Sequence, residues 1–175
     1  MGDDARPAAR LTVLAGPSGV GKDSVVELIR ARSPWVWVSV LVTTRAMRDH
    51  EVDGVHYGFV DRAEFERMIA GGELLEWAEF AGNLYGTPRG PVETHLRAGR
   101  PVLLKLDVQG ARQVRAAMPG AQLVLLVPPG ADGRRAVECE FDLTVVNDHV
   151  ERAADELVGL LGSSFLTPAR PRAIG

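Results

Sequence analysis

GPSGVGKDS, Gly16 to Ser24, is the stretch that decides the fold of this chain. LTVLA (Leu11–Ala15) precedes it, short and apolar, and reads as a buried strand. SVVELIRAR follows it, with Val25, Leu28 and Ile29 on one helical face. A strand, a glycine-rich turn, a lysine and a helix make a cradle for phosphate. Glycines let the backbone turn tightly and aim N–H groups inward. The helix adds the partial positive charge of its N-terminus. Lys22 can bridge the outer phosphates. Gly16, Pro17, Ser18, Gly19, Val20, Gly21, Lys22, Asp23 and Ser24 are therefore the candidate phosphate-binding residues. Asp23 stands where a metal-binding hydroxyl is usual, and the hydroxyl comes one residue later, at Ser24. Ser24 is expected to serve a phosphate oxygen. The metal would then be held through water by Asp23 or Asp107. Asp23 also suits the first turn of a helix, where a negative charge is favourable.

Outward from this loop, strands and helices alternate. Trp35–Val42 (WVWVSVLV) reads as a second buried strand. Residues 43–87 are charged and glycine-rich, with a strand expected at His56–Val60, a helix near Arg62–Ala70 and a strand at Leu74–Phe80. This stretch reads as an inserted lobe. A helix near Pro91–Ala98 leads to the strand PVLLKLD. A helix near Gln109–Ala117, the strand AQLVLLV, the strand LTVV and a helix over Glu151–Leu161 complete the chain. The alternation predicts an α/β fold, a parallel sheet covered on both faces, with ligands at the carboxyl ends of its strands.

The bulk composition agrees. At 175 residues the chain suits one domain, and 46% hydrophobic with 25% charged residues is ordinary for a globular protein. A net charge of -3 gives no reason to expect a nucleic-acid or anionic-membrane partner. The single cysteine, Cys139, has no partner for an internal disulfide, which suits a reducing cytoplasm. No apolar run is long enough to span a bilayer, and MGDDARPAAR has no apolar signal core. The expected organisation is a frayed head (1–9), one domain (10–162) and a loose tail (163–175). Of the 20 basic residues only Lys22 and Lys105 are lysines. A compact ammonium on a flexible stem suits phosphate, and Lys22 lies in the loop.

A second motif points to the acceptor. In TTRAMRDHEVDGVHYGF (Thr43–Phe59), two guanidiniums, Arg45 and Arg48, and the phenol of Tyr57 can converge on one phosphate dianion. Downstream, ELLEWAEFAGNLYGT puts Glu76 near Tyr85 and Thr87. A carboxylate accepting two N–H bonds suits the N1 and N2 edge of guanine, and a hydroxyl can donate to its O6.

With these motifs assembled, the chain resembles guanylate kinases, P-loop enzymes that phosphorylate GMP with ATP. The matches are GPSGVGK, TTRAMR..E..G..Y.F, ELLEWAEF.GN.YGT, LDVQGARQV, VPP and FDLTVVND, in the family's order over residues 11–161. The resemblance implies a P-loop kinase fold with a GMP-binding lobe (43–87). It implies that Arg45, Arg48, Tyr57 and Tyr85, with Ser39, hold the GMP phosphate, and that Glu76 and Thr87 read the guanine. Asp107 would sit near metal and guanine. Lys22 and the backbone of Gly19 and Gly21 would hold ATP. Lys22, Arg45, Arg48 and Asp107 would form the catalytic set, with Mg²⁺ carried by ATP. ATP and GMP are the partners expected, in a monomer or homodimer.

Four departures matter. Leu41 stands at the second serine of the family's SxSxTTR segment. Lys105 replaces the acid usual two residues before Asp107, and would pair with Glu76 or Asp107 or bind an anion of the ligand. Asp23 gives a Gly-Lys-Asp-Ser loop, which is similar to that of ribose 1,5-bisphosphate phosphokinases. Only GADGRRAVECE (Gly130–Glu140) bridges Pro129 to Phe141, where the family has a long helical lid, leaving Arg134 and Arg135 as candidate remnants of its ATP-gripping arginines. Arginines there can be worth ~10³–10⁵ in rate. The primary expectation is GMP or dGMP phosphorylation, weakened by a shortened lid. Two alternatives stay open: a kinase for a modified guanine nucleotide or a phosphosugar, and a non-catalytic guanylate-kinase-like binding module.

Overall fold

In chain order the elements are β1 (Leu11–Ala15), α1 (Lys22–Arg32), β2 (Trp37–Val38), β3 (Val42–Thr43), β4 (Gly58–Phe59), α2 (Arg62–Ala70) and β5 (Leu74–Phe80). β6 (Asn83–Pro88), α3 (Arg89–Arg97), β7 (Val102–Leu106), α4 (Val108–Ala117), β8 (Gln122–Val127), β9 (Leu143–Val146) and α5 (Val150–Ser163) follow. The computed structural model describes residues 9–131 and 140–163. The expected head (1–9), apart from Ala9, and the expected tail (163–175), apart from Ser163, lie outside the described residues. So do Arg134, Arg135 and Cys139.

Five strands form an all-parallel sheet in the order β2-β7-β1-β8-β9. Successive side chains of a strand point to opposite faces, so each strand feeds two cores. On one face Leu11, Val13 and Ala15 of β1 and Leu104 and Leu106 of β7 pack with Ala111 and Val114 of α4 and Val92 of α3. On the other, Leu14 and Leu103 meet Val25, Val26 and Ile29 of α1 and Leu157 and Leu161 of α5. This two-sided burial is why these strands read as continuous apolar runs rather than alternating ones. Fully burying one such aliphatic side chain contributes about 1.5–3 kcal/mol.

A second sheet, in the order β4-β3-β6-β5, is mixed. β3 pairs with β4 in parallel and with β6 antiparallel, and β5 with β6 antiparallel. It has a small core of its own: Val42, Phe65 and Leu84, with Met68, Ile69 and Leu74 against them. Asp61 starts α2 by accepting the backbone N–H of Glu64 at 2.8 Å, satisfying one of the helix's open donors.

Three sequence readings need correction here. WVWVSVLV is not one strand. β2 belongs to the large sheet and β3 to the small one, and residues 39–41 carry the chain between them. The strand expected at His56–Val60 is only Gly58–Phe59. β6, which lies inside the small sheet, has no counterpart in the expected elements. It closes a hairpin with β5 through Ala81 (φ 51) and Gly82 (φ 78), the two positive φ angles that a tight two-residue hairpin turn needs.

Candidate active site

The loop between β1 and α1 sits at the carboxyl end of the large sheet. Gly19 and Gly21 have φ of 79° and 96°, which L side chains rarely adopt. Gly16 is needed for a different reason: a Cβ there would lie 2.6 Å from the Leu126 carbonyl oxygen on β8. Gly21 caps α1 with no side-chain hydrogen bond, so the first N–H groups of the helix keep no cap from the loop. Asn147 steadies the loop by donating Nδ2 to the Val20 carbonyl at 2.8 Å. The Lys22 ammonium donates to the Gly16 and Pro17 carbonyls at 2.6 and 3.1 Å, folded back over the loop it belongs to. Burial lowers its pKa. The charges of Asp23 and Asp107 oppose that shift, and Lys105 adds to it.

Asp23 lies in the first turn of α1, and its carboxylate accepts from Lys105. The two departures flanking the crevice are thus each other's partner. Lys105 bonds neither Glu76 nor Asp107, the two alternatives the sequence offered. The reason is the strand's alternation: Lys105 follows Leu103 onto the α1 face of β7, whereas Leu104 and Leu106 face α4. Asp107 instead caps α4, its Oδ1 accepting the Gly110 N–H at 2.7 Å.

Across the crevice, Arg45 is held on all sides. Its Nη1 and Nη2 donate to Glu51 Oε2 and Oε1 at 3.0 and 2.7 Å. Its guanidinium lies over the Tyr57 ring, 5.3 Å from the centroid, and interacts with Tyr85. Tyr57 and Tyr85 meet edge to face with centroids 6.2 Å apart. The bidentate bond raises the Arg45 pKa above its ordinary value and holds the Glu51 carboxyl down to about 2. Glu51 also accepts the backbone N–H of Arg48, at 2.8 Å. The Arg48 side chain is exposed. Glu51, quoted in the motif but given no role from sequence, is the residue that organises this cluster. Its signal was its place between Arg48 and Tyr57 in a segment with two arginines to pair.

Glu76 and Thr87 stand opposite one another in the β5–β6 ladder. Both are buried, and Thr87 Oγ1 donates to Glu76 Oε1 at 2.7 Å. Burial raises the Glu76 pKa to about 7. The Thr87 hydrogen bond opposes that shift and the Asp107 charge adds to it. Gly110 lets α4 come this close: a Cβ there would lie 3.2 Å from Asp107 Oδ1 and 3.3 Å from Glu76 Oε2. Gln113, another residue without an assigned role, pins α4 to β5 by exchanging two hydrogen bonds of 3.1 Å with the Trp77 backbone.

A cleft of about 380 Å³ runs between α1 and the segments 39–41 and 51–57, with Asp23, Ser39, Leu41, Glu51, Tyr57 and Lys105 among its lining residues. Leu41 brings an apolar side chain to it, and packs against the core as well. Ser39 has a buried hydroxyl with no hydrogen-bond partner among the described residues.

A family model described as Guanylate kinase matches residues 8–136. The chain belongs to the guanylate kinase family. A protein named Guanylate kinase from Thermobifida fusca is 53% identical, over 88% of this chain and 91% of that one. Another from Streptomyces coelicolor is 53% identical, over 90% of this chain and 91% of that one. The Thermobifida alignment runs over 179 residues, while 88% of 175 residues is about 154, so about 25 aligned positions have no residue here. A crystal structure of guanylate kinase from Anaplasma phagocytophilum superposes with a TM-score of 0.73 at 30% identity, covering 92% of this chain and 88% of that one. The chain itself has the P-loop kinase arrangement, a parallel sheet with the glycine-rich loop between β1 and α1. Among the described residues no helix is long and apolar enough to cross a membrane.

Proposed function

We propose that this chain transfers the γ-phosphoryl group of ATP to GMP or dGMP, giving ADP and GDP or dGDP. The observation that carries the reading is the buried Glu76–Thr87 pair, with the charge of Asp107 close enough to act on both Glu76 and Lys22 of the loop. When ionised, Glu76 accepts the N1–H and N2–H of guanine, and Thr87 turns its hydroxyl to O6. An adenine offers neither N–H at those places, so the pair selects guanine.

ATP lies on Gly16–Ser24, its phosphates met by the N–H groups of the loop and of the open α1 N-terminus. Lys22 leaves the Gly16 and Pro17 carbonyls for the outer phosphates. Mg²⁺ enters with ATP as part of the substrate. Asp23 and Asp107, both exposed, each give one carboxylate oxygen to a protein partner, which leaves the other for a metal-bound water. The GMP phosphate is held by Arg45, Arg48, Tyr57 and Tyr85, with Ser39 and its unpartnered hydroxyl beside them. An oxygen of that phosphate attacks the γ-phosphorus, and the bond from γ-phosphorus to the bridging oxygen of ADP breaks. No general base is needed, because a phosphate oxygen is already a nucleophile at neutral pH. Positioning and positive charge supply the catalysis.

The small-sheet lobe, residues 43–87, is the part that closes over GMP, and residues 130–140 are a shortened lid. The family match ends at residue 136, inside that link, and about 25 aligned positions of a relative are missing from this chain. Arg134 and Arg135 are the arginines left to meet ATP there. A short lid admits water and removes positive charge from the γ-phosphate, so turnover is slower than in a full-lidded relative. The reading needs only the two nucleotides as partners, in a cytoplasmic monomer or homodimer. Calorimetric titration of GMP, with and without a non-hydrolysable ATP analogue and Mg²⁺, tests it. Binding of GMP and weak or absent binding of AMP is the expected result. Equal binding of the two, or of neither, would overturn the guanine assignment.

A further inference from the structure

We infer that Lys105 is a phosphate-binding residue of the acceptor site, parked on Asp23 in the empty enzyme and transferred to the GMP phosphate when the nucleotide arrives. The inference rests on the GMP reading above. Its basis is where β7 ends. Lys105 pairs with Leu14 of β1 in register, two residues before the loop begins, and its side chain runs along the α1 face of the sheet. The stem is half-buried and the ammonium emerges at the first turn of α1, where it meets Asp23. The same cleft is lined by Glu51 and Tyr57, the two residues that hold Arg45 in place. Lys105 therefore stands between the donor loop and the acceptor cluster, reachable from both.

Three further facts favour a phosphate at this place. Lys22 feels Lys105 as a like charge, so an anion between the two ammonium groups relieves their repulsion. The buried Ser39 hydroxyl, on the wall of the same cleft, lacks a partner among the described residues. Asp23 is a weak competitor: its side chain is 82% exposed, and exposed ion pairs contribute little. A phosphate dianion offers more charge and more acceptors than one solvated carboxylate. The long flexible stem of a lysine allows the exchange without moving the backbone.

Titration calorimetry with GMP, and with guanosine as the phosphate-free probe, tests this on the full chain. Lys105→Met should weaken GMP binding by roughly ten- to a hundredfold, the loss typical of a hydrogen bond to a charged group. Guanosine binding should stay unchanged, and Lys105→Arg should restore part of the GMP affinity. Asp23→Asn frees the ammonium, so GMP should bind at least as tightly as to the wild type. If Lys105→Met leaves GMP affinity unchanged, or weakens guanosine equally, Lys105 does not touch the phosphate and the inference fails while the GMP reading stands. If Asp23→Asn loses GMP as Lys105→Met does, the pair is a structural strut and the inference fails too. If the wild type binds no GMP, both readings fall together.

Discussion

Thr87 donates its hydroxyl to a Glu76 carboxyl that is only 7% exposed, and that single buried bond sets two properties against each other. The guanine recognition proposed above needs the carboxylate, whereas burial favours the acid and lifts its pKa to about 7. Between the ordinary carboxylate range and pH 7 the folded chain keeps a proton that the unfolded chain has lost. Stability from this group therefore falls as pH rises through that window, by at most about 3 kcal/mol, and levels off above it. GMP affinity runs the other way and rises with pH through 7. Parallel melting and GMP-binding curves from pH 5 to 8 check both signs.

Glu76→Gln removes the charge and keeps an oxygen for Thr87. The variant should be more stable than the wild type at pH 8, by about 1–3 kcal/mol, and its stability should lose the decline across the window. Its amide presents one acceptor where guanine needs two. GMP binding should fall roughly tenfold or more, and the preference over AMP should shrink. Chemical denaturation and calorimetry on the same preparation measure the trade.

Arg45 depends on Glu51 for its place, through two bonds of 2.7 and 3.0 Å. Glu51→Ala frees the guanidinium and removes the acceptor for the Arg48 N–H. KM for GMP should rise roughly tenfold or more while KM for ATP changes little, because misplacing a substrate clamp costs reaction geometry. Since Glu51 titrates at about 2 in the folded chain, its contribution is present above the usual carboxylate range and is lost as pH falls through 2. The cluster should thus persist at pH 5. Steady-state kinetics varying each substrate decides the first point.

At Gly16 the obstacle is backbone, the Leu126 carbonyl oxygen 2.6 Å from any added Cβ. Neither β1 nor β8 can give way without disturbing the shared core. Gly16→Ala should lower the melting temperature by several degrees, about 1–3 kcal/mol, and weaken binding of an ATP analogue. An unchanged melting temperature would show that the loop shifts freely.

Much of this was legible in the residues alone. β1, α2, β5 and β9 fall where their patterns put them, because each is a bounded apolar or amphipathic run. The central strands were legible because burial on both faces makes them uniformly apolar. The split of Trp35–Val42 was not, since the apolar pattern continues while the chain changes sheets, and only the pairing partners differ. β6 was missed because its turn, Ala81-Gly82, needs positive φ at an alanine, which composition does not announce. Arg45, Arg48 and Tyr57 were expected to converge on one phosphate; the Arg45 guanidinium lies over the Tyr57 ring, while the Arg48 side chain is exposed. Lys105 with Asp23 was out of reach: the two are 82 positions apart in sequence, and which face of β7 the lysine takes depends on the register.

Purified full-length chain with ATP, Mg²⁺ and GMP should yield ADP and GDP in equal amounts, measured by separating the nucleotides over time. Lys22→Ala should lower that rate by roughly a hundredfold or more, since it removes the loop's only ammonium from the transferring phosphoryl group. ADP without GDP, or a rate that the Lys22→Ala variant matches, would contradict the assignment of this crevice as a guanylate kinase site.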